Sequence, residues 1–181
     1  MAPTITDEQL AARQLVRDWA AGSQATAAIR DVEQGKAEAW RPVYEGLAAL
    51  GIFGVAVAED SGGAGGRVED LCAMVDEAAK ALAPGPVATT ALATLVISDT
   101  VQLGALLSGG RFAGMALDAD IQFDRPASKA SGTAPRVLGA VAGGLLLLPA
   151  DGTWLVVDSA DAGVTVQPLT PTDFSRALAR V

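Results

Sequence analysis

The stretch Leu47-Ala48-Ala49-Leu50-Gly51-Ile52-Phe53-Gly54-Val55-Ala56-Val57-Ala58-Glu59-Asp60-Ser61-Gly62-Gly63-Ala64-Gly65-Gly66 holds the sharpest change of pattern in the chain. A helical apolar spacing stops at Gly51, an apolar run follows over residues 52–57, and an acidic pair leads into a glycine cluster. Strand, glycine loop and helix in that order is the layout of a nucleotide-binding site. The detail does not fit it. Read as GxGxxG, residues 63–68 leave Val68 where the third glycine belongs, and no Gly-Lys-Ser/Thr follows for a phosphate loop. Glu59 and Asp60 would also stand beside the phosphates. Glycine clusters are first of all turn punctuation, so a loop joining two helices is expected here.

Upstream, Thr6 and Gln9 make a capping box for a long first helix whose apolar face is Leu10, Leu15, Val16 and Trp19, with Arg13, Arg17 and Asp18 outside. A second helix starts near Trp40 with Pro42 in its first turn, continues through Val43, Tyr44, Leu47 and Leu50, and ends at Gly51. A third spans 68–83, where Pro84-Gly85-Pro86 stops it. Residues 87–97 and 101–107 read as two further short helices. After Ser108-Gly109-Gly110 the pattern turns to short β-branched or alternating runs at 112–117, 145–148, 154–157, 164–167 and 178–181, with Asp151-Gly152 as a hairpin turn. Helices followed by strands predict an α+β chain. The expected organisation is an all-helical N-terminal domain over residues 1–110 and an incomplete antiparallel β-domain over 111–181.

Composition narrows the functions. The 181 residues are half hydrophobic, enough to bury the core of one domain or of one domain and part of a second. A formal charge of -8 opposes phosphate backbones and anionic membrane surfaces, so neither nucleic acid nor membrane is an expected partner. With no histidine in the sequence, Ser-His-Asp and Cys-His catalysis and HExxH zinc sites are excluded, and any acid or base must be a carboxylate, Lys, Tyr or Cys. Met1-Ala2-Pro3-Thr4-Ile5-Thr6-Asp7-Glu8 carries no basic n-region and no apolar run, which points to a cytoplasmic protein and not a secreted one. The longest apolar stretch, 137–148, is broken by Gly139, Gly143 and Gly144, well short of the roughly 20 residues a bilayer needs. Mean hydropathy is nevertheless positive, +0.33, as for a chain that has surface to be covered.

Individual residues offer little chemistry. Cys72, the single cysteine, has no intrachain partner and is expected to pack as a small hydrophobe beside Leu71, Val75 and Leu82. Glu69, Asp70, Asp76 and Glu77 resemble a paired acid and base, but acidic residues early in and along a helix read as its solvated face. Asp118, Asp120 and Asp124 lack the Gly and Glu of a calcium loop, so a strand-end loop is expected and no metal site. Trp19, Trp40 and Trp154 read as packing residues. No catalytic residue can be assigned.

The quoted stretch nevertheless resembles the segment of acyl-CoA dehydrogenases that runs L-x-x-L-G, a short apolar run, then P-E-x-x-G-G-x-G. Glu69-Asp70-Leu71 and Ala81-Leu82-Ala83-Pro84-Gly85-Pro86 are similar to the helix that follows in that family. Gly163-Val164-Thr165-Val166, then Asp173 with Arg176 and Leu178-Ala179-Arg180-Val181, resemble its middle β-domain with Asp-x-x-Arg before a strand. The resemblance covers about residues 6–181. It implies α,β-dehydrogenation of an acyl-CoA thioester with FAD as hydride acceptor, and a C-terminal helical domain, absent from this sequence, that carries the carboxylate base. Two departures accompany it. Where the family runs into a Thr-Glu-Pro and Gly-Ser-Asp loop on flavin and substrate, this chain has Ala116-Leu117-Asp118-Ala119-Asp120-Ile121. Arg136-Val137-Leu138-Gly139-Ala140 stands where a Trp-x-Thr/Ser strand backs the flavin. Leu117 and Asp118 are thus the positional candidates for cofactor contact, and a carboxylate in place of a neutral donor implies lost FAD binding there. Such members resemble the partner subunits of heteromeric acyl-CoA dehydrogenases of actinobacterial sterol and lipid catabolism. FAD in an assembled enzyme, an acyl-CoA substrate and a homologous subunit or a second copy are the implied cofactor and partners. A non-catalytic assembly module built on the same fold is the alternative, and a nucleotide-binding protein using Gly62 to Gly66 is the third.

Overall fold

Among the residues described, 5–181 of a computed structural model, six α-helices come first and eight strands follow without interleaving. Residues 1–4, part of the stretch weighed as a targeting segment, lie outside them.

Helix α1 (Asp7–Ala20) opens with the expected capping box, Gln9 N donating to Thr6 Oγ1 at 3.3 Å and Thr6 N to Gln9 Oε1 at 3.3 Å. It packs chiefly on α4 (Val68–Lys80), with Trp19 reaching Gly46 of the later helix at residues 41–49, and this contact covers one stripe. Val16 is therefore buried and Trp19 half-buried, while Leu10 and Leu15 stay exposed, contrary to expectation. Helix α2 (Ala25–Glu33) was not foreseen: it buries only Ala25 and Ala28, and its N-cap Gln24 sits at φ 55° with no side-chain cap. Helix α3 (Arg41–Ala49) carries Pro42 in its first turn and ends before Gly51 at φ 80°. The apolar run then forms a 3-10 turn, Ile52–Gly54, that drives Ile52 and Phe53 fully into the core. Helix α4 stops at Lys80, three residues early, because Leu82 turns left-handed (φ 55°) ahead of Pro84. Helices α5 (Val87–Thr94) and α6 (Thr100–Leu107) follow.

Strands β1 (Ala113–Ala116), β4 (Val137–Leu138), β5 (Leu145–Ala150), β6 (Thr153–Asp158), β7 (Gln167–Pro168) and β8 (Leu178–Arg180) form one sheet in the order β6-β5-β1-β4-β8-β7. β2 (Asp120–Asp124) and β3 (Lys129–Thr133) make a separate hairpin. The antiparallel expectation fails at one place: β1 and β5 pair in parallel, Ala113 opposite Leu145. Between them the chain runs through the β2–β3 hairpin and β4, so β5 enters beside β1 on the side away from β4. The run at 145–148 is buried on both faces, which is why it is continuously apolar. Leu145 and Leu147 pack with Ala93, Ile97, Leu103 and Leu106 of the helical part; Leu146 and Leu148 pack with Ala116, Val137 and Ala179. The β5–β6 hairpin turns at Asp151 (φ 46°) and Gly152 (φ 74°), as read from Asp-Gly. The strand expected at 164–167 shrinks to β7, Val164 and Val166 serving as half-buried packing against the sheet.

The joint between helices and sheet is aromatic and polar together. Trp40 meets Tyr44 and Phe112 edge-on at centroid distances of 5.5 and 5.4 Å, and Phe53 lies 5.0 Å from Tyr44. The Tyr44 hydroxyl donates to the Arg111 carbonyl at 2.9 Å and lies 3.3 Å from Thr90 Oγ1, which accepts from Ala113 N at 3.0 Å. The first residue of β1 is thereby fixed to α3 and α5. Burial raises the Tyr44 hydroxyl far above the ordinary phenol range, so it stays a donor.

Candidate functional site

A phosphate cradle needs backbone N–H groups left free at a helix start. Here Gly63 N donates to Ala58 O at 3.0 Å, Ala64 N to Gly54 O at 2.9 Å, Gly65 N to Val57 O at 2.8 Å and Gly66 N to Val55 O at 2.8 Å. The glycine loop spends its donors on the 3-10 turn behind it. A Cβ at Gly63 would stand 2.1 Å from Val57 O, so the glycines serve close backbone approach and not nucleotide binding.

The acidic helix divides. Glu69 pairs with Arg67 at 2.7 Å, and Asp70 accepts from Arg67 N at 2.9 Å, both at the exposed helix start as expected. Glu77 does not lie on a solvated face: it is 5 % exposed and holds Arg13 at 2.7 Å, Arg17 at 2.9 Å and Lys80 at 3.0 Å. Its carboxyl is held far below the usual carboxylate range, chiefly by the Arg17 hydrogen bond and then by Arg13 and Lys80. A group so firmly ionised moves no proton near neutrality. Asp76, bridging Arg13 and Lys80 at 2.5 and 2.8 Å, is likewise lowered, first by Lys80. Cys72 is exposed and not a core thiol, because Leu71, Met74 and Ala78 face inward and position 72 falls on the solvent stripe with Glu69 and Asp76.

At the end of β1 the connection to β2 is short, residues 117–119. Leu117 is 85 % exposed and Asp118 Oδ2 accepts from Arg136 at 3.3 Å. Asp120 and Asp124 belong to β2 and not to a loop. Four residues apart on an extended strand they stand about 13 Å apart, too far to share an ion. Among the described residues no group of carboxylates or thiols is arranged for a metal. Trp40 is buried and Trp19 half-buried, but Trp154 lies exposed on the edge strand β6, so packing does not explain it.

Sequence reasoning missed a cleft of about 500 Å³ between the α2–α3 connection and the 166–178 segment, with Trp40, Pro86, Val141, Phe174 and Arg176 among its walls. Its walls come from four separate stretches of chain, and no local pattern announces it. The Asp-x-x-Arg beside it is a fastening. Asp173 accepts from Ser175 N at 2.8 Å and is lowered by Ser175 and, more weakly, by Arg176. Arg176 NH1 donates to Ala83 O at 2.8 Å and to Ser175 O at 3.2 Å, and Gly85 N returns a bond to Ser175 O at 2.9 Å.

A helical bundle fastened to a small mixed sheet defines an α+β class of protein. The model of the acyl-CoA dehydrogenase N-terminal domain matches residues 6–105, and the chain belongs to the acyl-CoA dehydrogenase family. It is 62 % identical to acyl-CoA dehydrogenase FadE34 of Mycobacterium tuberculosis (strain ATCC 25618 / H37Rv), the match covering 100 % of this chain and 27 % of that protein. This chain thus spans about a quarter of the length of that curated relative. A variant of the Tcur3481–Tcur3483 steroid acyl-CoA dehydrogenase superposes with a TM-score of 0.73 at 23 % identity, over 98 % of this chain and 54 % of that one. The acyl-CoA dehydrogenase of Bacillus anthracis complexed with FAD superposes at 0.74 and 15 % identity, over 97 % and 36 %. The helix-then-sheet architecture expected above is therefore that of the family.

A flavin ring presents acceptors at its pyrimidine edge and, when reduced, negative charge. The side chains at the end of β1 are an exposed leucine and a carboxylate engaged by Arg136, with no hydroxyl donor. Behind them Val137 is buried in the sheet, and a Cβ at Gly139 would stand 2.5 Å from Thr89 Oγ1, leaving no room for a backing side chain. Leu117 and Asp118 thus offer a flavin edge no neutral side-chain donor.

Proposed function

We propose that this chain is the helical and sheet segment of an acyl-CoA dehydrogenase subunit that acts in lipid or sterol catabolism, in the cytoplasm, beside a homologous, flavin-competent subunit. Residues 1–110 form its helical domain and 111–181 its β-domain, and a C-terminal helical domain completes the enzyme. The reaction assigned to the assembly is α,β-dehydrogenation of an acyl-CoA thioester. The carrying observation is the end of β1, where the 117–119 connection offers Leu117 and an Arg136-bound Asp118 in place of a neutral donor. Support for the substrate class comes from the relatives, one called an acyl-CoA dehydrogenase and one a steroid acyl-CoA dehydrogenase. No helix among the described residues is long and apolar enough to cross a membrane.

A second reading, an assembly module without a catalytic partner, is favoured by the exposed Leu92, Val96 and Val101, which offer an apolar surface but no chemistry. One experiment separates them. The chain is produced with and without an acyl-CoA dehydrogenase homologue from the same genome, and the visible spectrum and mass of each purified product are recorded. A colourless chain that copurifies with a yellow partner bleached by acyl-CoA is the expected result. Flavin absorbance on the chain alone overturns the reading of β1, and a colourless chain that joins no homologue leaves the assembly module.

A further inference from the structure

The cleft beside the helix–sheet joint has the size of a small-molecule site and apolar walls, including Trp40, Pro86, Val141 and Phe174. Arg176 is among its lining residues. Two facts single this cation out in a chain of net charge -8. It forms no ion pair within 4.0 Å among the described residues, and it is half-buried, whereas Arg30, Arg125 and Arg180, which also lack such a pair there, are exposed. Its NH1 is consumed by Ala83 O and Ser175 O. That leaves Nε and NH2, the side-on pair of a guanidinium, without a hydrogen-bond partner among the described residues. This pair is the fork that receives a carboxylate in two parallel bonds.

The carboxylates nearby do not fill that role. Asp173 turns its Oδ1 to Ser175 N at 2.8 Å, and Glu38, on the opposite wall, is paired with Arg41. We propose that the cleft binds an amphipathic monocarboxylate, its apolar chain or ring body lying against Trp40 and Phe174 and its carboxylate held side-on by Nε and NH2 of Arg176. The site is separate from the end of β1 and does not depend on the flavin reading.

The test is isothermal titration of the chain with dodecanoate, below its micellar concentration, and with dodecan-1-ol as the uncharged control. Expected is saturable binding of one dodecanoate per chain, with the alcohol weaker by about tenfold or more, the worth of one charge-assisted contact. Arg176→Gln is expected to reduce dodecanoate to the level of the alcohol. Because Arg176 also fastens Ala83, that variant is paired with Ala37→Phe/Ala142→Phe, which narrows the cleft from two walls while leaving the arginine in place, and which is expected to abolish binding of both ligands. Equal affinity for acid and alcohol, unchanged binding in a folded Arg176→Gln chain, or binding that survives the double phenylalanine variant overturns the proposal.

Discussion

Glu77 shows how far one residue's surroundings outweigh its place in a pattern. Its position on an acidic helix gave no warning that Arg13 and Arg17 of α1 would close over it, since that pairing spans about sixty residues of sequence. The consequence is a pH dependence of defined sign. A carboxyl whose folded-state affinity for protons is depressed contributes stability that is whole above the unfolded glutamate range, near 4.3, and drains away as pH falls below it. Melting temperature is therefore expected to decline steadily on acidification below about pH 5, and Glu77→Gln to be less stable at neutral pH and to lose much of that acid slope. An unchanged slope in the variant would remove Glu77 from the account. Gly63 is the second residue-scale case. With Val57 O in the way of a Cβ, Gly63→Ala must displace backbone, and a loss of about 1–3 kcal/mol is expected in urea unfolding.

At the scale of elements, the joint at Thr90 carries the sharpest expectation. Thr90→Val keeps the shape but strips Ala113 N of its acceptor in a fully buried place, and should cost about 1–3 kcal/mol. Tyr44→Phe should cost less, since it removes a donor and leaves the Arg111 carbonyl half-exposed; the comparison is by paired denaturant curves. The elements that sequence announced are those with their own punctuation: α1 by Thr6 and Gln9, α3 by Pro42 and Gly51, the β5–β6 hairpin by Asp151-Gly152. Those it hid lack such marks. Helix α2 has no capping side chain, β4 is two residues long, and β2 and β3 are polar strands with exposed Asp, Lys and Ser that read as loop. The parallel pairing of β1 with β5 is a matter of order in space, which no run of residues records. Of the candidate site, Leu117 and Asp118 are candidates by position alone, taken from a motif's absence, and the cleft was not legible, being assembled from distant segments.

For the molecule as a whole, burial is incomplete in a directed way. Helix α5 buries Val87, Thr90, Ala91 and Ala93 yet exposes Leu92, and Val96 and Val101 continue the apolar surface beyond it. Leu92→Lys/Val96→Lys is expected to leave unfolding free energy within about 0.5 kcal/mol, as for surface changes generally, while lowering self-association of the isolated chain on a sizing column. A fall in stability instead would mean that these side chains are already packed. The fastening of Arg176 to Ala83 and of Gly85 to Ser175 reaches across some ninety residues. During synthesis the Pro84–Pro86 turn must therefore wait, its partner still inside the ribosome, while every helix behind it has already emerged. The helical part can collapse early, but the fastening between the Pro84–Pro86 turn and the sheet is completed only when residues 175 and 176 follow, some ninety residues later.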